Sequence, residues 1–343
     1  MSDINVMIEK LWYGKNRLFW LLIPFSLLYG LIAFVRRFLY KIGIFKSWQS
    51  PVPIIIIGNL SVGGNGKTPL AIGLIEALQA KGLKVGLVSR GYGGKAENYP
   101  LILDDTTTTD QAGDEPVLIY QRTHAPVAVS PNRGQAVKAL LKQNQLDVIL
   151  TDDGLQHYAL ARDIEVVVVD GKRLFGNGWW MPAGPMRERQ NRLKSVDLII
   201  VNGDSINNLT QQYPDKTYTM QLVPKYVINL VTKEKKELSS LSNICAVAGI
   251  SNPKRFFDML INMKADLNKT VAFADHQKFT LSLLNNVVSR EQTLLMTEKD
   301  AVKCQQFAQP NWWYLPIDAV IPKPAIDQIC VLLDKTKSQR EKK

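Results

Sequence analysis

The chain has 343 residues, 46% of them hydrophobic, and a formal net charge of +11. It is long enough for two domains, and its basic excess favours an anionic partner: a nucleotide, a nucleic acid or a membrane surface. Cys245, Cys304 and Cys330 are widely spaced without a C-x-x-C pair, and the only histidines are His124, His157 and His276. This argues against a disulfide framework, a zinc site or a histidine-built metal centre and fits a reducing compartment.

Taken in order, the first distinctive stretch is Leu18 to Val35, LFWLLIPFSLLYGLIAFV, uncharged and bracketed by Lys15 and Arg17 before it and Arg36, Arg37, Lys41 and Lys46 after it. As a helix it reaches roughly 27 Å, just enough to cross a bilayer. Pro24 and Gly30 interrupt it, and Trp12, Tyr13, Phe19, Trp20, Phe34, Phe38, Tyr40 and Trp48 crowd its flanks, as at a membrane interface. An interfacial or partly inserted anchor is the favoured reading, ahead of a full span or a buried core helix; no A-x-A-like site follows that would mark a cleaved signal peptide.

Ile54 to Leu70 reads IIIIGNLSVGGNGKTPL. The isoleucine run predicts a strand buried on both faces, and Gly63, Gly64 and Gly66 allow the backbone to bring several N–H groups against one anion. In such a phosphate cradle, Ser61 to Thr68 surround the phosphates, Lys67 reaches the β- and γ-phosphates, Thr68 offers a hydroxyl to Mg2+, and the helix from Pro69 contributes its positive end. Ser61 stands where the general G-x-x-x-x-G-K-[ST] pattern has glycine.

Lys84 to Ser89 predicts the next parallel strand, running into Arg90-Gly91-Tyr92-Gly93-Gly94 at the ligand-bearing edge. Leu103 to Gln111 is a polar loop before Gly113-Asp114-Glu115-Pro116, where the acids are either a helix cap or supply a general base. Pro126 to Val129 is a strand followed by Arg133, a candidate phosphate ligand. Asp147 to Asp153, DVILTDD, resembles a Walker B ending, with Asp152 and Asp153 candidates for Mg2+ or for capping a turn. Ile164 to Val169 and Val196 to Val201 are further strands. Between them, Asn177 to Arg192 (NGWWMPAGPMRERQNR) reads as a loop for an acidic, partly apolar substrate or as a packing loop.

From Thr217 to Lys235 the alternation suggests a β-ribbon linking two domains. Ile244 to Gly249, a helix from Pro253 capped by Ser251, a strand near Val271, the turn Asp275-His276-Gln277, a helix through Val288 and a strand Thr293 to Thr297 then restart α/β logic. The tail KTKSQREKK reads as disordered.

Three classes fit these pieces: a lipid kinase, a membrane-associated P-loop ATPase of the positioning or targeting type, and a nucleic-acid-binding ATPase. The second should carry a lysine just before the glycine pair, where this chain has Val62, and the third lacks a recognition module.

In combination the anchor, NLSVGGNGKTP, SRGYGG, GDEP, the DDGLQH run, PAGPMRE and the D-H-x-x-F pattern at Asp275 to Phe279 resemble the tetraacyldisaccharide 4'-kinase (lipid A 4'-kinase) family of Gram-negative bacteria. The resemblance covers nearly the whole chain and extends to Ser61. It implies ATP- and Mg2+-dependent phosphorylation of the 4'-hydroxyl of tetraacyldisaccharide 1-phosphate at the cytoplasmic face of the inner membrane, with no nucleic-acid or obligate protein partner. It also implies a P-loop NTPase-like α/β/α sandwich with an N-terminal membrane-anchoring helix and a second, smaller α/β/α domain. The expected divisions are 1–48 for the anchor, 49–215 for the core, 216–240 for a two-stranded linker, 241–335 for the smaller domain and 336–343 for the tail. By matching positions, Ser61, Val62, Gly63, Gly64, Asn65, Gly66, Lys67 and Thr68 hold the nucleotide, and Asp153 with Asp152 completes the metal site of Thr68. Asp114 is the base, and His276 orients or tunes it. Arg133, Arg187 and Glu188 are carried over as phosphate- or metal-associated groups.

Overall fold

A computed structural model describes residues 3–14, 17–203, 209–289 and 291–342; Lys15, one of the basic residues flanking the apolar stretch, lies outside them. In chain order its strands are β1 (Ile54–Gly58), β2 (Val85–Ser89), β3 (Leu101–Ile102), β4 (Val127–Val129), β5 (Val148–Thr151), β6 (Ile164–Asp170), β7 (Leu198–Asn202), β8 (Thr217–Pro224), β9 (Val227–Asn229), β10 (Lys235–Lys236), β11 (Ile244–Ala248), β12 (Leu267–Ala272), β13 (Thr293–Thr297), β14 (Trp312–Leu315) and β15 (Ile317–Val320).

Nine strands form the larger sheet in the order β15-β8-β7-β6-β1-β5-β2-β4-β3, and six form the smaller, β10-β9-β14-β13-β11-β12. The larger is parallel except at its antiparallel edges β3 and β15. β1 shows why its sequence lacks alternation: Ile55 and Ile57 enter one core with the helix Lys67–Ala80, while Ile54 and Ile56 enter the other with Leu155, Met186 and Leu193. A strand clothed on both faces excludes polar residues from both. The smaller sheet is likewise packed on two faces, by Phe256 and Leu260 on one and Phe279 and Leu284 on the other.

The expected division at 216–240 and 335 is corrected by the strand pairing. Thr217–Pro224 does not form a ribbon with the segment after it; it adds to the larger sheet beside β7, and its second partner is β15, about a hundred residues later. The chain therefore crosses to the smaller domain after β8 and returns through β15. The tail is not disordered through most of its length. The helix Lys323–Glu341 includes it up to Glu341, burying Ala325, Ile329 and Leu333 on the larger core, and Arg340 donates to both carboxylate oxygens of Asp163 at 2.8 and 2.7 Å. A residue spacing of four along one helical face supplies the apolar contact that the charged composition hides.

Near the N-terminus, Arg17–Leu22 forms a 3-10 turn leading into the helix Ile23–Lys41. Leu21, Phe25, Leu28, Ile32 and Phe34 are exposed, which removes the buried-core-helix reading. Ser26 and Gly30 alone among this helix's residues are buried, Ser26 Oγ donating to the Trp180 carbonyl and accepting from Ala183 N–H, both at 2.8 Å. The loop Asn177 to Arg192 thus packs against the apolar helix at one end. At the other it backs the phosphate cradle, accepting from Val62 N–H at Pro185 (2.8 Å) and donating from Arg187 N–H to Leu60 (2.7 Å).

Candidate active site at the domain junction

The cradle follows β1 directly. Gly63 and Gly66 take φ of 117° and 93°, left-handed values that a side chain would strain, and Gly66 caps the helix Lys67–Ala80. Ser61 is buried and its Oγ accepts from Asn65 Nδ2 at 3.1 Å. The hydroxyl ties the two ends of the loop together, a bond that glycine at this position would forgo.

Beyond β5, Asp153 takes φ 46° and receives two cations: Lys67 Nζ stands 3.7 Å from Oδ1, and Arg187 Nη1 lies 2.9 Å from both carboxylate oxygens. Burial pushes its carboxyl up, but Lys67 and Arg187 outweigh burial and hold it below the ordinary range. Arg133, 5% exposed, donates to the Asp152 and Asp153 carbonyls at 3.1 and 2.8 Å, so it shapes the loop carrying the pair. Asp152 is 1% exposed, and its Oδ1 has no hydrogen-bond partner among the described residues. Burial above all, with the charge of Glu115, pushes its carboxyl up to about 8, against the pull of Lys67.

The orphaned, buried Oδ1 of Asp152 suits Mg2+, which prefers hard oxygens and takes only one or two carboxylates when phosphates supply the rest. No cluster of three or more His, Cys, Asp or Glu residues forms a metal cage among the described residues. Glu188 is held elsewhere: Gln156 Nε2 and Tyr158 Oη donate to it at 2.9 Å each, Arg192 Nε lies at 3.3 Å, and Arg37 from the apolar helix at 3.8 Å. A hydrogen-bond path through Gln156 and Arg187 links it to Asp153.

The second half of the site spans both domains. Asp114 begins the helix Asp114–Thr123 and is 5% exposed. From the smaller domain, His276 Nδ1 approaches Asp114 Oδ2 to 3.1 Å, while Lys299 and Lys303 Nζ stand 3.7 and 3.9 Å from the same oxygen. Burial raises the Asp114 carboxyl; the His276 contact and Lys299 outweigh it, leaving a carboxylate below its ordinary range. Asp114 in turn raises His276 above the usual imidazole value, against burial and Lys299. Tyr92 of the glycine-rich loop after β2 sets its ring edge-on to His276, centroids 5.0 Å apart. Glu115 joins the two halves, pairing with Lys299 at 3.0 Å and reaching Asp152 through its charge.

The structure thus brings Lys67, Asp152, Asp153 and Arg187 together, and Asp114 with His276, and sets Glu188 apart. In the loop after β2, Arg90 is exposed and Tyr92 is the residue whose ring meets His276. The helix Pro253–Asn262 is capped by Asn252, not Ser251. Lys299, Lys303 and Arg255 were not singled out from the sequence; a lysine in the first turn after a parallel strand was the available signal.

A family model described as tetraacyldisaccharide-1-P 4'-kinase matches residues 18–334. Among solved structures, LpxK from Aquifex aeolicus, an "apo" form in complex with ATP, superposes with a TM-score of 0.75 at 27% identity, covering 92% of this chain and 99% of that one. The signal recognition particle receptor FtsY from Elizabethkingia anophelis gives a TM-score of 0.29 at 18% identity over 48% of this chain and 54% of that one, too low to bear on the fold.

Proposed function

The chain belongs to the tetraacyldisaccharide-1-P 4'-kinase family, and from that premise we propose how its residues carry the reaction. It is an ATP-dependent kinase that phosphorylates the 4'-hydroxyl of tetraacyldisaccharide 1-phosphate, the lipid A precursor, and it is membrane-associated; a positioning-type ATPase is not favoured.

In this reading Ser61 to Thr68 wrap the ATP phosphates and Lys67 neutralises charge on the transferring group. Thr68 and Asp152, with Asp153, would hold Mg2+, which would supply further neutralisation of phosphate charge when bound. Arg187 keeps Asp153 ionised and oriented, and Arg133 fixes the backbone of the pair. Asp114 takes the proton from the 4'-hydroxyl, and His276 turns its carboxylate and stabilises the ionised form. Because proton removal is late in a loose phosphoryl transfer, a carboxylate below the ordinary range serves as base. The observation that carries this reading is the 3.1 Å contact between Asp114 and His276, made across two domains, with the neighbouring Glu115 acting on Asp152 through its charge.

In this reading the exposed apolar residues of Ile23–Lys41 enter the cytoplasmic face of the inner membrane, and a lipid's headgroup arrives at the site along the loop Asn177 to Arg192, which packs on that helix at Trp180 and Ala183 and backs the cradle at Pro185 and Arg187. Neither nucleic acid nor an obligate protein partner belongs to this reading.

The test is transfer of labelled γ-phosphate to tetraacyldisaccharide 1-phosphate in mixed micelles. Asp114→Ala should lower turnover by about two to four decades with little change in ATP affinity, and His276→Ala should cost less. No product from wild-type protein that binds ATP would sink the kinase assignment, and equal turnover in Asp114→Ala would remove the base.

A further inference from the structure

We propose that Arg255 of the smaller domain is a positioning residue for the phosphate cradle of the larger one, acting through Asn202. Arg255 lies in the first turn of the helix Pro253–Asn262. Its Nη2 donates to Asn202 Oδ1 at 3.2 Å and its Nη1 to Asp170 Oδ2 at 3.3 Å, at the carboxyl ends of β7 and β6. The other oxygen of Asp170 is taken by the N–H groups of Lys172 and Arg173, both at 2.9 Å, so that its Oδ2 is the one presented to the guanidinium.

Asn202 is 2% exposed, and its Nδ2 donates to the Asn65 carbonyl at 3.0 Å. A guanidinium only donates and a carbonyl only accepts, so the two contacts fix which way the Asn202 amide faces. In a trans peptide the N–H of Gly66 points opposite to the carbonyl of Asn65. Holding that carbonyl on Asn202 therefore turns the Gly66 N–H away from it, and that N–H makes no backbone bond among the described residues. It is left for an anion, next to Lys67.

The packing agrees. A Cβ on Gly66 would fall 2.5 Å from Asn202 Nδ2, and one on Gly64 would overlap Ser251 Oγ. The turn Ser251–Arg255 thus meets the cradle directly at Gly64 and reaches Gly66 by way of Asn202, and removing Arg255 takes away one of the two contacts that orient the Asn202 amide. The cradle of the larger domain is complete only with the smaller domain seated on it.

This inference rests on the reading that Ser61 to Thr68 hold the phosphates of ATP. Arg255→Met should raise the KM for ATP about tenfold, the loss of one charge-assisted hydrogen bond, with kcat at saturating ATP within about threefold and the lipid KM unchanged. Melting without nucleotide should match wild type, since the side chain is 43% exposed. The double variant Arg255→Met/Asn202→Ala should raise the ATP KM no further than Asn202→Ala alone, because the two act in series.

An ATP KM within twofold of wild type in Arg255→Met, or additive effects in the double variant, would overturn the proposal. If Arg255→Met does not fold, Arg255→Lys, which keeps the charge but loses the fork that reaches both partners, is read by the same KM criterion. A wild-type enzyme with no saturable ATP dependence would instead refute the underlying reading of the cradle.

Discussion

Replacing Lys299 by methionine should shift the acid limb of the pH–rate profile upward by about one to two units, since each unit is about 1.4 kcal/mol. Lys299 Nζ stands 3.7 Å from Asp114 Oδ2, 3.0 Å from Glu115 Oε1 and 3.6 Å from Asp275 Oδ1, with its side chain 18% exposed. Two unit charges about 4 Å apart at an effective dielectric of about 20 interact by about 4 kcal/mol. His276 and Lys303 remain on Asp114 after the substitution, and water reaches the vacated side, so roughly half of that figure is lost.

The sign follows from the balance at Asp114. Burial raises its carboxyl, and His276 and Lys299 bring it below the ordinary value. With Lys299 gone burial regains ground, the carboxyl protonates at higher pH, and the base form is lost earlier as pH falls. Lys299 also opposes protonation of His276, so without it the imidazolium persists to higher pH. The assay is initial-rate phosphate transfer in mixed micelles from the acid to the neutral range, with Lys278→Met as control, since Lys278 pairs with the exposed Asp110. An acid limb that stays in place in a variant of wild-type melting temperature would refute the account.

Asp152→Asn should stabilise the Mg2+-free protein in a pH-dependent way. A carboxyl raised to about 8 by burial carries a folding penalty that begins as pH rises past the ordinary carboxylate value and is complete above its folded value; the variant should melt higher than wild type by about 2–6 °C above that point and no higher in acid, while losing transfer activity, and equal melting in alkali would contradict the burial argument. Gly30→Val should undock the apolar helix, because a Cβ there would fall 2.5 Å from the Trp180 ring. The rate on micellar lipid should drop by about tenfold or more with ATP affinity preserved; an unchanged rate would show that the docked position of the helix is irrelevant to turnover.

The parts legible in the sequence are those whose chemistry is contiguous. Ile54 to Leu70 carries strand, turn, lysine and helix in one run, and β5 carries its carboxylates at its own end, so residue order alone recovers half the site. The return of the chain was not legible. β15 is a short run, Ile-Asp-Ala-Val, with no position fully buried, and its partner β8 lies far back in sequence. Nor does a segment such as KTKSQREKK announce a helix, because its anchoring depends on Asp163 and on the carbonyl of Ser50, which accepts from Arg340 at 2.8 Å. Composition reports what a residue prefers on average; it does not report a bidentate partner in another part of the chain.

The same distinction explains the other half of the site. His276 follows β12, Lys299 follows β13, and the turn carrying Arg255 follows β11, so the smaller sheet presents the carboxyl ends of its parallel strands to the carboxyl ends of β1, β5, β6 and β7. Two strand-end edges face one another, and each brings what the other lacks: the glycine-rich loop and Asp114 from the larger domain, and His276, Lys299 and Lys303, which surround Asp114, from the smaller. The two polypeptide crossings, after β8 and before β15, leave side by side as an antiparallel pair. Separating the domains about that pair would strip Asp114 of His276, Lys299 and Lys303 together, the groups that hold its carboxyl below the ordinary range. The contacts on Asp114 and the contact of Arg255 with Asn202 therefore depend on one and the same docking of the two domains.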